Sequence, residues 1–292
     1  MENREIGIVT VLYKSETVLD DYFRTLNEQS YKNFILYVID NKSPDNSLNK
    51  SKELAKSVRF ETKIIENDDN YGVAKGNNQG IEAALKDGCD YVILSNNDVV
   101  LKPDTIEKLF FGLKEMNADM AVPKIYFYGT NLIWMAGGKF IWYNGANKHF
   151  GFKEEDKGQF DKCNKINYAP TCFMLIKKEV FAAIGMMDEK YFVYYDDTDF
   201  LYRAMGKKQK LIYIYSSTLE HKESTSTGTK SDFTMYYLYR NRIYFAKKHR
   251  PFFHIFFIEN LVYHYLFRFF RMINDRHQWQ LILRAMQEGT VL

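Results

Sequence analysis

Tyr91-Val92-Ile93-Leu94-Ser95-Asn96-Asn97-Asp98 is the stretch on which the reading of the fold turns. A short β-rich run passes directly into two amides and a carboxylate. In open α/β sheets ligands bind beyond the carboxyl ends of the strands, so this exit places polar groups where a ligand would lie. A carboxylate there can hold a divalent cation, because Mg2+ or Mn2+ bound to a diphosphate needs few protein ligands. Asn and Asp also build turns through local hydrogen bonds, and the triplet taken alone leaves both accounts standing.

Upstream, Ile6–Tyr13, Phe34–Asp40 and Phe60–Glu66 read as further strands. Between the first two, Val18, Leu19, Tyr22, Phe23 and Leu26 recur at helical spacing and leave Asp20, Asp21 and Arg24 for solvent. Ser43-Pro44-Asp45 and Lys102-Pro103-Asp104 read as turns into helices. This alternation over residues 1–128 predicts βαβ units and a mostly parallel sheet. Two more strand exits are polar, Asp40-Asn41 and the run from Asn70 to Gly80. In that run Gly72, Gly76 and Gly80 fall four apart, Lys75 can meet a phosphate, and Asn78 can bond it or a nearby loop. Neither a Walker loop nor a dinucleotide fingerprint fits, and close packing of a Gly-rich helix competes with ligand binding.

Downstream, Trp134 to Lys165 reads as hairpin and loop, Cys172–Ile176 as a strand, and Lys178 to Gly185 as a short helix. Tyr194-Tyr195-Asp196-Asp197-Thr198-Asp199 then packs three carboxylates into four positions. Like charges so close raise at least one pKa, which suits a proton acceptor, while an acidic first helical turn would account for the same cluster. The run lacks the central glycine and closing glutamate of an EF-hand. His221 follows the strand-like run Leu211–Tyr215, and a lone histidine is as a rule an ordinary polar residue.

Forty basic against 37 acidic residues give a net charge of +3, too even to point to nucleic acid. Cys89, Cys163 and Cys172 lack metal-ligand spacing and suit a reducing compartment. Met1 to Glu5 runs straight into a strand with no basic region and apolar stretch, so a cytoplasmic protein is expected. No internal repeat or low-complexity segment occurs.

Together these segments resemble the large family 2 of inverting glycosyltransferases with the GT-A fold, especially its rhamnosyltransferase-like members. The resemblance covers about residues 5–250. It is carried in order by Val9-Thr10-Val11-Leu12-Tyr13, Val38-Ile39-Asp40-Asn41-Lys42-Ser43-Pro44-Asp45, Asn70 to Gly80, Asn96-Asn97-Asp98, and Asp196-Asp197-Thr198-Asp199 with Arg203. It implies an α/β GT-A catalytic domain over 1–235, with a nucleotide-sugar half to about 128 and an acceptor half from 129, then a helical extension over 236–292. On the donor side it implies Asp40 at the nucleotide base, with Thr10, Val11, Tyr13, Asn41 and Ser43 near it. Asn70, Lys75, Asn78, Asn96 and Asn97 complete that side. Asp98, with His221, becomes the ligand of Mg2+ or Mn2+, Asp197 the catalytic base, and Asp196, Asp199 and Arg203 the acceptor side. Arg240-Asn241 resembles another recurring pair to which no role attaches. Lys14 stands where the family usually has asparagine, Asn97 where proline is frequent, and Asp196 where glutamate is commoner.

The implied activity is transfer of a sugar from a dTDP or UDP donor to a hydroxyl of a cell-surface glycan or lipid-linked oligosaccharide, with rhamnose the first candidate. A nucleotidyltransferase, or a non-catalytic glycan-binding protein on the same fold, are the competing classes. Over 251–273, apolar Ile258, Val262, Tyr265, Phe269 and Ile273 alternate with Asn260, His264, Arg268 and Arg271 as on an amphipathic helix. Charges interrupt it too often for a span, which needs about 18 or more apolar residues. A membrane surface on the inner face of the cell, the catalytic domain, or a second subunit in a homodimer would each suit that face.

Overall fold

The computed structural model describes residues 5–141, 146–222, 231–249 and 276–292. The amphipathic segment expected over 251–273 lies outside the described residues. The first half runs β1 (Ile6–Leu12), α1 (Leu19–Asn27), β2 (Phe34–Asp40), α2 (Ser47–Ser57), β3 (Glu61–Glu66), α3 (Gly72–Lys86), β4 (Tyr91–Ser95), β5 (Val99–Leu101), α4 (Thr105–Glu115) and β6 (Met120–Phe127). The second continues with β7 (Ile133–Met135), β8 (Gly138–Ile141), β9 (Ala146–His149), β10 (Asn164–Ile166), β11 (Phe173–Lys177), α5 (Lys178–Ile184), a 3-10 turn (Glu189–Tyr191), α6 (Asp196–Gly206), β12 (Leu211–His221), α7 (Asp232–His249) and α8 (Arg276–Val291).

The main sheet has the order β10-β12-β6-β11-β4-β1-β2-β3. β3, β2, β1 and β4 are parallel, β6 and β12 are parallel, and β11 lies antiparallel between β4 and β6. β2 is buried along its whole length and β1 nearly so, as expected of parallel strands covered on both faces. β3, Glu-Thr-Lys-Ile-Ile-Glu, forms the edge and leaves its ends exposed. α1 buries Leu19, Tyr22, Phe23 and Leu26 and turns Asp20, Asp21 and Arg24 outward, the face its spacing predicts.

The glycines of α3 serve close packing. A Cβ on Gly80 would lie 2.2 Å from Val9 Cγ1, and one on Gly76 would lie 2.8 Å from Val11 Cγ2, so α3 lies directly on β1. The stretch read as hairpin and loop forms a β8–β9 hairpin and two short strands, β7 on β6 and β10 on β12. α7 begins at Asp232, inside the expected catalytic domain, so the 235/236 boundary cuts a helix. α7 buries Asn241, Ile243, Tyr244, Phe245 and Ala246, and α8 packs against α7. Among the described residues, no helix is long and apolar enough to cross a membrane.

Candidate active site

The exits of β1, β2 and β4 open into one cavity of about 740 Å³. Tyr13, Asn41, Asn96, Asn97 and Asp98 line it from the strand ends, and Asn70, Gly72, Val73 and Asn77 from the start of α3. Phe192, Val193 and Tyr194 form the wall ahead of α6, and Phe233 and Thr234 enter from the first turn of α7.

Asp98 and His221 are far apart in sequence, and a short antiparallel ladder brings them together. Val99 pairs with His221 as β5 joins β12, and Lys222 N donates to Asp98 O at 2.9 Å. His221 Nε2 therefore sits 3.0 Å from Asp98 Oδ1 on the cavity wall. Burial opposes protonation of His221, yet Cys172 and the Asp98 carboxylate outweigh it and hold the imidazole pKa well above its ordinary value. Once His221 gives up that proton, a carboxylate oxygen and an imidazole nitrogen converging in this way form a donor set suited to one divalent cation. No group of three or more His, Cys, Asp or Glu that could hold a metal occurs among the described residues.

Asp40 is buried at the end of β2. Its Oδ2 accepts from Ser43 N at 3.2 Å, while Asp40 Oδ1 and Ser43 Oγ have no partner among the described residues. A buried carboxylate oxygen without a donor is costly, and neither Asp40 nor Ser43 is among the residues that line the cavity. Asn41 lines the cavity and donates to Gly72 O at 3.0 Å. Asn97 Nδ2 caps β1 through Val11 O at 2.8 Å, and Asn96 stays exposed to the cavity. Thr10 is fully buried within β1.

Two donor-side expectations meet other partners. Asn78 is buried and donates to Met187 O (2.9 Å) and Glu189 Oε1 (3.1 Å), while its Oδ1 accepts from Met187 N (3.0 Å). It buckles α3 to the segment after α5. Lys75 lies over the Tyr71 ring, 4.3 Å from its centroid, outside the cavity lining.

Asp196 and Asp197 open α6, whose N-terminus favours negative charge. Asp197 is held at both oxygens. Thr198 N donates to Oδ1 at 2.6 Å and Thr198 Oγ1 at 3.1 Å, while Tyr168 OH donates to Oδ2 at 3.3 Å. Asn147 Nδ2 in turn donates to Thr198 Oγ1 at 2.8 Å. Asp197 itself does not line the cavity, although Tyr194, three residues earlier, does. An aromatic wall links the two sets. The Trp134 ring lies 4.7 Å from His221 and 4.8 Å from His149, which stacks on Tyr168 at 6.0 Å.

Burial, with Asp197 adding like charge, pushes the Asp196 pKa up to about 7, and burial raises that of Asp197 as well. A carboxyl whose folded pKa is raised stabilises the fold below its unfolded pKa and loses that contribution as pH climbs through the folded value. Asp196→Asn is therefore expected to melt higher than the wild type at pH 8 but not at pH 4. Thermal unfolding across that range is the check, and a gap independent of pH would refute it.

Asp199 and Arg203, expected on the acceptor side, form an internal clamp instead. Asp199 is fully buried and meets Arg203 Nε (2.7 Å), Lys248 Nζ (2.8 Å) and His249 Nε2 (2.6 Å). Hydrogen bonds from His249 and Lys248, with the charges of Arg203 and Lys248, hold its pKa below the usual carboxylate range despite burial. The Arg203 guanidinium also donates to Ile184 O and Met186 O, tying α6 to the end of α5. Sequence reading missed Asn147 and Tyr168 because isolated polar residues on or beside short strands carry no periodic signal, and it gave Thr198 no role within the acidic motif that contains it. It also missed the aromatic wall residues Phe192 and Phe233.

Residues 7–185 match the family model described as Glycosyl transferase family 2. The glycosyltransferase GlyG of Streptococcus pneumoniae is 22% identical over 237 residues, 79% of this chain and 74% of that one. The dTDP-rhamnosyl transferase RfbF of Shigella flexneri is 27% identical over 208 residues, 70% of this chain and 64% of that one. The crystal structure of GalNAc-T7 with UDP, GalNAc and Mn2+ aligns at a TM-score of 0.66 and 13% identity, covering 86% of this chain and about half (49%) of that one. A shared GT-A fold, a cavity at the carboxyl ends of its parallel strands and a match over most of its length place this chain in glycosyl transferase family 2, as a glycosyltransferase.

Proposed function

We infer that the chain moves a sugar from a dTDP or UDP donor to a hydroxyl of a glycan or lipid-linked oligosaccharide, with inversion at the anomeric carbon. The observation that carries this reading is the pairing of Asp98 with His221 on the wall of a cavity at the strand exits, to which Tyr194, three residues before a doubly anchored Asp197, also contributes. The unpartnered Asp40 Oδ1 and Ser43 Oγ are suited to N–H groups of the nucleotide base, beside Tyr13 and Asn41. Asp98 and His221 would hold Mg2+ or Mn2+ together with the diphosphate. Such an ion offsets charge on the leaving phosphates. GalNAc-T7, on the same fold, has Mn2+ with its UDP.

Asp197 takes the proton of the acceptor hydroxyl while that oxygen attacks the face of the sugar opposite the diphosphate. One displacement inverts configuration. Thr198 and Tyr168 keep the carboxylate from rotating away from the acceptor, and burial keeps its proton affinity high enough for the task. Residues up to about 128 form the donor half and 129–235 the acceptor half, with the first turn of α7 added to the cavity. The similarity to RfbF makes dTDP-rhamnose the first donor to test.

A thermal-shift panel of dTDP- and UDP-sugars with Mn2+ is the decisive experiment, since a ligand that binds the folded state raises the melting temperature by linkage. Stabilisation by one nucleotide sugar, followed by acceptor-dependent release of nucleoside diphosphate, is expected. Release of pyrophosphate would mark a nucleotidyltransferase, and a panel with no stabilising donor would point to a non-catalytic glycan binder.

A further inference from the structure

The segment between the 3-10 turn and α6 is held in sparsely populated backbone conformations. Phe192 (φ 57°), Tyr194 (φ 63°) and Tyr195 (φ 67°) all have positive φ, a region that aromatic L-residues avoid. Such conformations persist only where the surroundings over-determine them, and they concentrate at functional sites. Here the restraint can be traced carbonyl by carbonyl. Arg240 Nη2 donates to Lys190 O (2.6 Å) and Tyr191 O (3.2 Å). Asn241 Nδ2 reaches Tyr191 O (2.8 Å), Val193 O (2.7 Å) and Tyr194 O (2.9 Å). Phe192 O accepts from Val73 N at 2.6 Å, and Tyr195 O from Asp199 N at 2.8 Å, the first bond of α6. Every carbonyl from Lys190 to Tyr195 thus has a donor within reach, and a single buried amide shares its two N–H groups among three of them.

The amide is itself fixed. Asn241 is fully buried, and Arg240 Nε donates to its Oδ1 at 2.8 Å, which orients Nδ2 toward the loop. α8 backs α7 at the same level, for a Cβ on Gly289 would stand 2.3 Å from Arg240 O. The strapped segment supplies Phe192, Val193 and Tyr194 to the cavity and then delivers Asp196 and Asp197.

We propose that Arg240 and Asn241 are positioning residues for the transfer reaction, strapping the strained turn so that the cavity wall and Asp197 keep one geometry. The proposal rests on the reading of Asp197 as the proton acceptor. It gives the Arg240-Asn241 pair a physical task, exerted through the backbone of Lys190 to Tyr194 and without contact to substrate.

The test compares full-length wild type, Asn241→Ala and Arg240→Ala by three readouts. Amide hydrogen exchange over 191–199 should quicken by about tenfold or more in the variants, while β1, β2 and β4 keep their protection. Affinity for UDP or dTDP with Mn2+ should stay near wild type, and turnover of the nucleotide sugar that wild type accepts should fall by about 100-fold, as misplacement of a catalytic group does. A purely structural role would instead lower activity only in step with the folded fraction, and that result overturns the proposal. So does unchanged exchange at 191–199, or faster exchange with wild-type turnover. Arg240 is half-buried, and its truncation removes the donor to Asn241 Oδ1 but keeps the Nδ2 contacts to the turn, so Arg240→Ala decides if Asn241→Ala does not fold. Wild-type turnover by Asp197→Asn would remove the base assignment while leaving the exchange result intact, which separates the two failures.

Discussion

Asp197→Asn is expected to keep its affinity for nucleotide and metal and to turn over about 100-fold or more slowly, the usual cost of losing a general base. The amide is isosteric, its oxygen can still accept from Thr198, and the NH2 that replaces Oδ2 can donate to the Tyr168 hydroxyl oxygen, so the start of α6 should hold its shape. What disappears is a group that can take a proton. A 100-fold loss corresponds to about 2.7 kcal/mol of transition-state stabilisation. Single-turnover measurements with a saturating donor isolate that step from product release. Wild-type rates in that assay would remove Asp197 from the role and direct attention to Asp196, the neighbouring buried carboxyl.

The second large effect belongs to Asp98→Ala. Nucleotide binding in the presence of Mn2+ should weaken by at least about tenfold, a floor set by what loss of mere outer-shell support costs metal sites. Binding without added metal should change little, because the Asp40 corner and Tyr13 lie on other strands. Calorimetric titration of UDP and dTDP, with Mn2+ and with chelator, resolves the two contributions. A variant that loses affinity equally in both conditions would show that Asp98 shapes the cavity rather than the charge of a bound ion. A variant indistinguishable from wild type would deny it any part in donor binding.

Donor-side and acceptor-side features differ in how far they could be read from the chain. β1, β2 and β4 are runs of apolar, β-branched residues because both faces of a central parallel strand are covered, and that burial writes itself into consecutive positions. Their carboxyl ends carry Tyr13, Asn41 and Asn96 to Asp98, so placing strands also placed one wall of the cavity. The opposite wall has no such signature. Asn147 sits on a four-residue strand of a local hairpin, and Tyr168 lies two residues beyond a three-residue strand whose partner, β12, is distant in sequence. Asp199 and Arg203 show their i,i+4 spacing plainly, but Lys248 and His249, which join them in a buried clamp, come from α7.

What the order of residues settled was the βαβ half, the family, and the identity of the acidic positions, since these follow from local burial patterns and from short contiguous motifs. Which carboxylates face a cavity and which are neutralised inside depends on contacts between segments remote along the chain. Asp98 met His221 through a three-residue ladder, Asp199 was enclosed by two cations and an imidazole, and Asn241 closed over a turn 47 to 50 positions away. Those pairings arise when the core closes, and no periodicity along the chain encodes them.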